Sequence, residues 1–179
     1  MYFNRNILIL YAIALVVVAS FINYFFVAIL IFYFTFVVLL YSRPKITTGI
    51  KHLYLYIGYI YPAVGLFMRY LLETRYSTFY MLNRVEHSLF SLILTIILYI
   101  IFFETVKKLK LFEQAIFVMG IVIIFGNSNE IFEFIIRPFI TIDYGLKQTL
   151  FYSDTILDLV MNLIGTMLGF IISKRIIKE

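Results

Sequence analysis

Long, nearly uninterrupted apolar runs are the feature that most constrains how this chain folds. The run from Phe25 to Leu40 contains no charged side chain and no sustained alternation of apolar and polar residues. About 20 apolar residues are needed for a helix to cross a hydrocarbon core about 30 Å thick. Because a membrane barrel strand would show the alternation that is missing here, the runs predict helices. We therefore expect an all-α integral membrane bundle.

The composition supports this class and excludes several others. Hydrophobic residues make up 63% of the chain and charged residues 14%, and the mean hydropathy is +0.99, which is outside the range of soluble domains. The absence of cysteine excludes disulfides, thiolate metal ligands and cysteine nucleophiles. The net charge of +5 is scattered at predicted helix ends, where basic side chains meet lipid headgroups. We predict membrane lipids as partners and no nucleic acid.

Six transmembrane spans are predicted in a single domain over residues 1–179. They cover residues 7–22, 24–41, 53–72, 85–103, 115–136 and 154–173. The first span has an alternative interpretation as a signal peptide, because Arg5 precedes the apolar run and small residues stand near its end. The remaining spans are separated only by short charged stretches, so we expect a multi-pass protein of the cell membrane.

The distribution of basic residues predicts how the spans are oriented. Short cytoplasmic loops are enriched in lysine and arginine. A cytoplasmic amino terminus places ten of the fifteen basic residues on that side, namely Arg5, Arg43, Lys45, Lys51, Lys107, Lys108, Lys110, Lys174, Arg175 and Lys178. We therefore expect both termini to be cytoplasmic, with the loops at 73–84 and 137–153 on the outer side.

The sixth span carries a polar stripe within the sequence "DTILDLVMNLIGTMLGF". At about 100° per residue, Asp154, Asp158, Asn162, Gly165 and Gly169 fall within about 80° of one another. The two glycines form a small-xxx-small surface that predicts close packing of another helix. Asp154 alone is explained as a helix N-cap. Asp158 and Asn162 lie deeper, where a charged residue costs at least about 2.5 kcal/mol unless it is paired, hydrated or neutralised.

The fifth span also ends in acidic residues, in the sequence "GNSNEIFEFIIRP". Within it, a helical arc of about 120° contains Asn127, Glu130, Glu133 and Arg137. Glu133 and Arg137 have the i,i+4 spacing of an ion pair. Glu130 lies deeper in the span and has no such local explanation.

The fourth span opens with "NRVEHSLFSLILT", which places His87, Ser91 and Thr95 on one helical stripe beside Glu86. A histidine that stood alone there would most often be a structural hydrogen-bonding residue. The predicted topology instead brings the polar ends of three spans to the same outer half of the bundle. A shared site is therefore predicted.

The predicted site has acidic and basic parts. The candidate metal or polar cluster is Glu86, His87, Glu130, Glu133, Asp154, Asp158 and Asn162. Such oxygen and imidazole groups hold magnesium, manganese, calcium or zinc, or relay protons, so the expected cofactor is a divalent cation of open identity. The basic residues on this side either neutralise the acids or bind an anionic headgroup, and they are Arg69, Arg75, Arg84 and Arg137.

The second half of the chain, about residues 80–173, resembles two membrane families. "NEIFEFIIRP" followed by "DTILDLVMNLIGTMLGF" is similar to the carboxy-terminal half of VanZ-like proteins, and "NRVEHSLFSL" resembles a segment of the YjdF-type family in which a histidine opens a span. The matching positions are His87, Glu130, Glu133, Asp154, Asp158, Asn162, Gly165 and Gly169. The resemblance implies a polytopic membrane protein and no defined reaction.

Three functions are compatible with these patterns. The first is an outward-facing acidic site that binds a cation and a lipid or lipid-linked phosphate, with or without a hydrolase or transferase reaction on that lipid. The second is a noncatalytic subunit or assembly factor of a larger membrane complex, in which the polar groups hold helices together. The third, ion or proton passage, is disfavoured because Gly165 and Gly169 replace the polar stripe in the inner half.

Overall fold

The structure, a computed structural model, describes residues 5–22, 63, 76–140 and 148–177. Within these ranges every regular element is helical: α1 (Arg5–Ile22), α2 (Tyr76–Ile101), α3 (Phe103–Val106), α4 (Leu111–Ile140) and α5 (Gln148–Ile176). The all-α prediction is confirmed for these ranges. The predicted second span and nearly all of the third lie outside the described residues, as do Arg69 and Arg75, so the six-span count and the orientation of the termini stay predictions.

Three of these helices are long and apolar enough to cross a membrane. The qualifying segments are Met81–Ile101, Leu111–Ile135 and Tyr152–Ile176, and α1 contributes a shorter apolar helix over Ile9–Val18. α4 has 30 residues, and at 1.5 Å per residue it is about 45 Å long. That length covers the hydrocarbon core and both interfacial regions of a bilayer.

The chain divides into two compact units, Met1–Phe79 and Tyr80–Glu179. α1 belongs to the first unit, and its Leu15 is buried while Leu10 and Ile13 are exposed. The second unit contains nearly all of α2 together with α3, α4 and α5. The polar residues predicted on the fourth, fifth and sixth spans all belong to this second unit.

The apolar core of the second unit is built around the carboxy-terminal half of α2. Leu94, Ile97, Leu98 and Tyr99 are almost completely buried, and the Tyr99 ring meets Phe170 of α5 edge-on at 6.0 Å. In a membrane-spanning segment, van der Waals contacts between such closely packed side chains contribute to holding the helices together.

After α2 the chain reverses direction through α3 and enters α4. Phe102 packs edge-on against Phe117 at 5.5 Å between ring centroids. Glu113, in the first turn of α4, accepts a hydrogen bond from the Lys110 backbone N–H at 2.9 Å, as the glutamate of a capping box does. The reversal makes α2 and α4 neighbours that run in opposite directions.

α5 lies against α2 with very little space between the two backbones. A Cβ atom at Gly165 would come within 2.0 Å of the Ser88 carbonyl oxygen, and one at Gly169 within 2.5 Å of the Leu92 carbonyl oxygen. Only glycine fits at such separations, so these two residues allow the polar stripe of α5 to reach α2 directly.

The second unit has two chemically different ends. At the polar end, the start of α2, the end of α4 and the start of α5 meet, as the contacts between Arg84 and Asp154 and between His87 and Glu130 show. The basic end is the opposite one, which carries the exposed residues Lys107, Lys108, Lys110, Lys174 and Arg175.

Candidate functional site

Arg84 of α2 is the cation that holds α5 at the polar end. Its two terminal nitrogens form ion pairs with the carboxylates of Asp154 and Asp158, and Nη1 also donates to the Asp154 carbonyl oxygen at 3.1 Å. Asn83 Nδ2 lies 3.3 Å from each carboxylate oxygen of Asp158. Of the two roles predicted for Arg84, these contacts show neutralisation of the acids.

The explanation of Asp154 as an N-cap does not hold. α5 begins at Gln148 and has no acidic residue in its first turn. Asp154 therefore lies inside the helix, where it binds Arg84 instead of free backbone amide groups.

His87 lies where the three helices converge. Its Nδ1 is 3.5 Å from Glu130 Oε1 of α4, and its Nε2 is 3.6 Å from Asp158 Oδ1 of α5. Nδ1 is also 3.3 Å from Asn162 Oδ1. Glu130 and Asp158 are buried, with 2% and 0% of their surface exposed. Both acids therefore lie beside one imidazole and share one site.

Asn162 links α5 to both neighbouring helices. Its Oδ1 accepts a hydrogen bond from Ser91 Oγ of α2 at 2.8 Å. Gly126 of α4 lies so close that a Cβ atom there would be 3.0 Å from Asn162 Nδ2. Since Asn162 is 4% exposed, its amide is a buried polar contact between helices rather than a surface feature.

One imidazole nitrogen and two carboxylate oxygens come together beside this asparagine. Ligand atoms of His87, Glu130 and Glu133 lie within 4.8 Å of one another. Glu133 is held in place by Asn129, whose Nδ2 donates to Glu133 Oε1 at 3.0 Å. These three side chains are the part of the site that could hold a metal ion.

The described cluster contains more acid than base. Its described residues include one guanidinium, that of Arg84, and four carboxylates, those of Glu130, Glu133, Asp154 and Asp158.

No described contact places Glu86, Arg137 or Thr95 at this convergence. Glu86 is half-buried and is not one of the three residues whose ligand atoms converge. The side chain of Arg137 lies outside the described residues, so its predicted ion pair with Glu133 stays a prediction. Thr95 shares the stripe of His87 but donates to the Ser91 carbonyl of its own helix at 2.6 Å, away from the acids.

Sequence reasoning missed Asn83 as a member of the site. The signal was present, because Asn83 lies four residues before His87 and so falls on the same helical stripe. The predicted fourth span begins at residue 85, which places Asn83 in the loop before it.

Apolar helices of spanning length around a buried polar cluster define a helical membrane protein. The chain belongs to the family described as predicted membrane protein (DUF2238), whose model matches residues 3–179. No curated protein and no solved structure matched the chain. The family confirms the expected class, and the narrower VanZ-like and YjdF-type resemblance stays a prediction.

Proposed function

We propose that this chain is a multi-pass protein of the cell membrane that binds a divalent cation at the polar end of its second unit. The observation that carries the proposal is the convergence of His87, Glu130 and Glu133, whose ligand atoms lie within 4.8 Å of one another. Two helices supply these groups, and α5 closes the site with Asn162.

One distance in the site fits a bridging metal ion as well as an ion pair. The separation of His87 Nδ1 and Glu130 Oε1, 3.5 Å, exceeds the usual N–H···O length of about 2.9 Å. It is close to the spacing of about 3.4 Å between two ligands of a tetrahedral ion that binds each at about 2.1 Å. Imidazole suits zinc and carboxylates suit manganese, so zinc is the first ion expected at this mixed site and manganese the second.

We further propose that the site faces outward and that both termini are cytoplasmic. From Asp158 to Lys174 there are 16 residues of continuous helix, which is about 24 Å. With Lys174 at one headgroup layer, Asp158 lies inside a 30 Å core, about one helical turn from the opposite surface. The exposed lysines of the basic end favour the cytoplasmic side.

The test is cation binding by the full chain purified in detergent. We expect saturable binding of zinc or manganese by isothermal titration calorimetry, with metal content checked by mass spectrometry. Glu130→Gln should weaken binding at least tenfold because it removes one charged ligand. Glu113→Gln is the matched control, since it removes an exposed carboxylate at the basic end and should leave affinity unchanged. Absence of saturable binding by the wild-type chain would refute the proposal.

The proposed lipid or lipid-linked phosphate ligand rests on the sequence alone. Arg84 binds the aspartates, so a headgroup would depend on Arg69, Arg75 and Arg137, whose side chains lie outside the described residues. Retention of an anionic lipid by the wild-type chain, and its loss in the triple glutamine variant of these arginines, would support this second ligand.

A noncatalytic subunit or assembly factor is the alternative function. The hydrogen bonds of Ser91 with Asn162 and of Asn83 with Asp158 favour it, because they join helices directly. If the wild-type chain binds no metal while Glu130→Gln unfolds more readily, the polar groups are structural. Co-purification of a defined partner complex would then identify what the chain assembles with.

A further inference from the structure

We infer that Asp158 and Arg84 determine which nitrogen of His87 binds the cation. In this arrangement Nδ1 is the ligand atom, and Nε2 carries the proton and faces Asp158. The inference depends on the proposed cation site. Within that site it assigns Nδ1 of His87 as the ligand atom and Asp158 as the residue that positions the ring. It also gives a role to the buried carboxylate of Asp158, which lies near the imidazole but is not one of the three converging groups.

The two edges of the His87 ring face different groups. Nδ1 faces Glu130 Oε1 at 3.5 Å. Nε2 faces Asp158 Oδ1 at 3.6 Å on the other side. A histidine that binds a metal through one nitrogen usually donates its other N–H to a carboxylate, which fixes the tautomer and the ring orientation. A closure of about 0.6 Å would bring Nε2 and Oδ1 to hydrogen-bond distance.

Asp158 is held firmly in the position this role requires. Its carboxylate is fully buried, binds Nη1 of Arg84, and lies within 3.3 Å of Asn83 Nδ2 through both oxygens. These donors occupy the carboxylate and keep it from turning toward the glutamates. The two aspartates are therefore bound by Arg84, whereas Glu130 lies on the Nδ1 side of His87.

Asn162 offers a competing acceptor for the imidazole proton. Its Oδ1 lies 3.3 Å from His87 Nδ1 and would stabilise the opposite tautomer. That oxygen already accepts the Ser91 hydroxyl proton, whereas Asp158 is ionic, and hydrogen bonds to ionised acceptors are about twice as strong as neutral ones. The carboxylate is therefore expected to keep the proton on Nε2 and leave Nδ1 for the cation.

The first test compares two conservative variants of the full chain in detergent. Asp158→Asn should lower zinc affinity about 10- to 100-fold, the usual effect of losing such a supporting carboxylate. Asp154→Asn removes a carboxylate from the same arginine but leaves the one that faces His87, so its loss should be clearly smaller. Equal losses in both variants would overturn the inference.

The second test reads the tautomer directly and needs no variant of the site. Nitrogen-15 NMR of the wild-type chain labelled at histidine, with His52→Gln used to assign the signals, should show Nε2 protonated and Nδ1 shifted by zinc. A protonated Nδ1 in the zinc-loaded chain would overturn the inference. Different results would refute the proposed function, namely no cation binding by the wild-type chain, or binding by Glu130→Gln as tight as that of wild type. The two claims can therefore be distinguished.

Discussion

At the residue scale, Arg84 is the side chain on which the polar end depends most. It binds two aspartates of α5 that lie 70 and 74 positions further along the chain. Arg84→Gln leaves the buried Asp158 and the half-buried Asp154 without their counter-ion. Removing one partner of a buried ion pair, such as that of Arg84 with Asp158, typically costs about 3–5 kcal/mol. We expect a loss of that order in the free energy of unfolding, measured by denaturation of the purified chain in mixed detergent and SDS micelles.

Lys108→Gln is the matched control for the Arg84 variant. Lys108 is an exposed basic residue of the basic end, so its loss removes the same charge without exposing a buried acid. Surface charges contribute about 0–1 kcal/mol, and the control should unfold almost as the wild type does. Equal stability of the two variants would show that Arg84 is not the cation that neutralises the aspartates.

A second prediction at this scale concerns the hydrogen bond between Ser91 and Asn162. The hydroxyl of Ser91 donates to the Asn162 side chain across two helices at 2.8 Å. In a double-mutant cycle, Ser91→Ala and Asn162→Leu should be coupled by about 0.5–1.5 kcal/mol, because either change removes the same bond.

Ser128→Ala is the control for this cycle. Ser128 also donates one hydrogen bond, but to the carbonyl of Ile124 within its own helix, and it is exposed. Its effect should add to that of Asn162→Leu without coupling, as is usual for separate sites. A coupling energy as large as that of Ser91 would contradict the role given to the interhelical bond.

The residues differ in how far the sequence alone predicts them. Asp158 and Glu130 stand out because an acid inside an apolar run needs a compensating partner. The identity of that partner does not follow from hydropathy, since Arg84 lies 74 positions from Asp158 and several other arginines were equally available. Pairing across helices depends on how each helix is rotated about its axis and on how deep each residue lies in the bundle. The periodicity of a single helix gives neither quantity.

At the element scale, the close approach of α2 and α5 gives a steric prediction. Gly165→Ala would place a methyl group 2.0 Å from a backbone oxygen of Ser88, which has no flexible end that could move aside. The two helices would have to separate, so we expect a loss of at least about 2 kcal/mol in unfolding free energy, of the size found for overpacking in tight cores.

Gly120→Ala is the matched control for the glycine variant. Gly120 lies in α4 with nothing within 4 Å of a Cβ atom built there. Alanine is favoured over glycine in a helix by about 1 kcal/mol, so this variant should be as stable as wild type or more stable. Destabilisation of both variants to the same extent would contradict the close packing at Gly165.

Helix boundaries are the part of the fold that the sequence predicts least well. α2 begins at Tyr76 rather than at residue 85, and α5 begins at Gln148 rather than at residue 154. In both cases the helix continues through polar residues that hydropathy assigns to a loop. Asn83, Arg84 and Asp154 remain helical because their polar groups find partners on a neighbouring helix.

At the scale of the whole molecule, the opposite chemistry of the two ends predicts the orientation in the membrane. The chain has no cysteine, so a single introduced cysteine can be labelled without background. Lys108 at the basic end and Tyr152 near the polar end are both exposed. We expect a membrane-impermeant maleimide to label Tyr152→Cys in intact cells and Lys108→Cys only after permeabilisation.

Labelling of both variants after permeabilisation controls for accessibility of the two positions. Labelling of Lys108→Cys in intact cells, without labelling of Tyr152→Cys, would reverse the proposed orientation and place the site on the cytoplasmic side. The chain-wide charge bias predicts the side statistically. Independently of that bias, the described helices place the exposed lysines and the buried acids at opposite ends of the second unit.

The ion pairs of Arg84 also have a consequence for biosynthesis. α5 is the last described helix to be synthesised, and two aspartates in its first half make its transfer into lipid unfavourable by itself. Arg84 has by then been translated 70 residues earlier and is available as the counter-ion. We therefore expect α5 to move from the insertion machinery into the lipid only when it is paired with α2. In a truncated chain that lacks α2, the final helix should enter the membrane inefficiently.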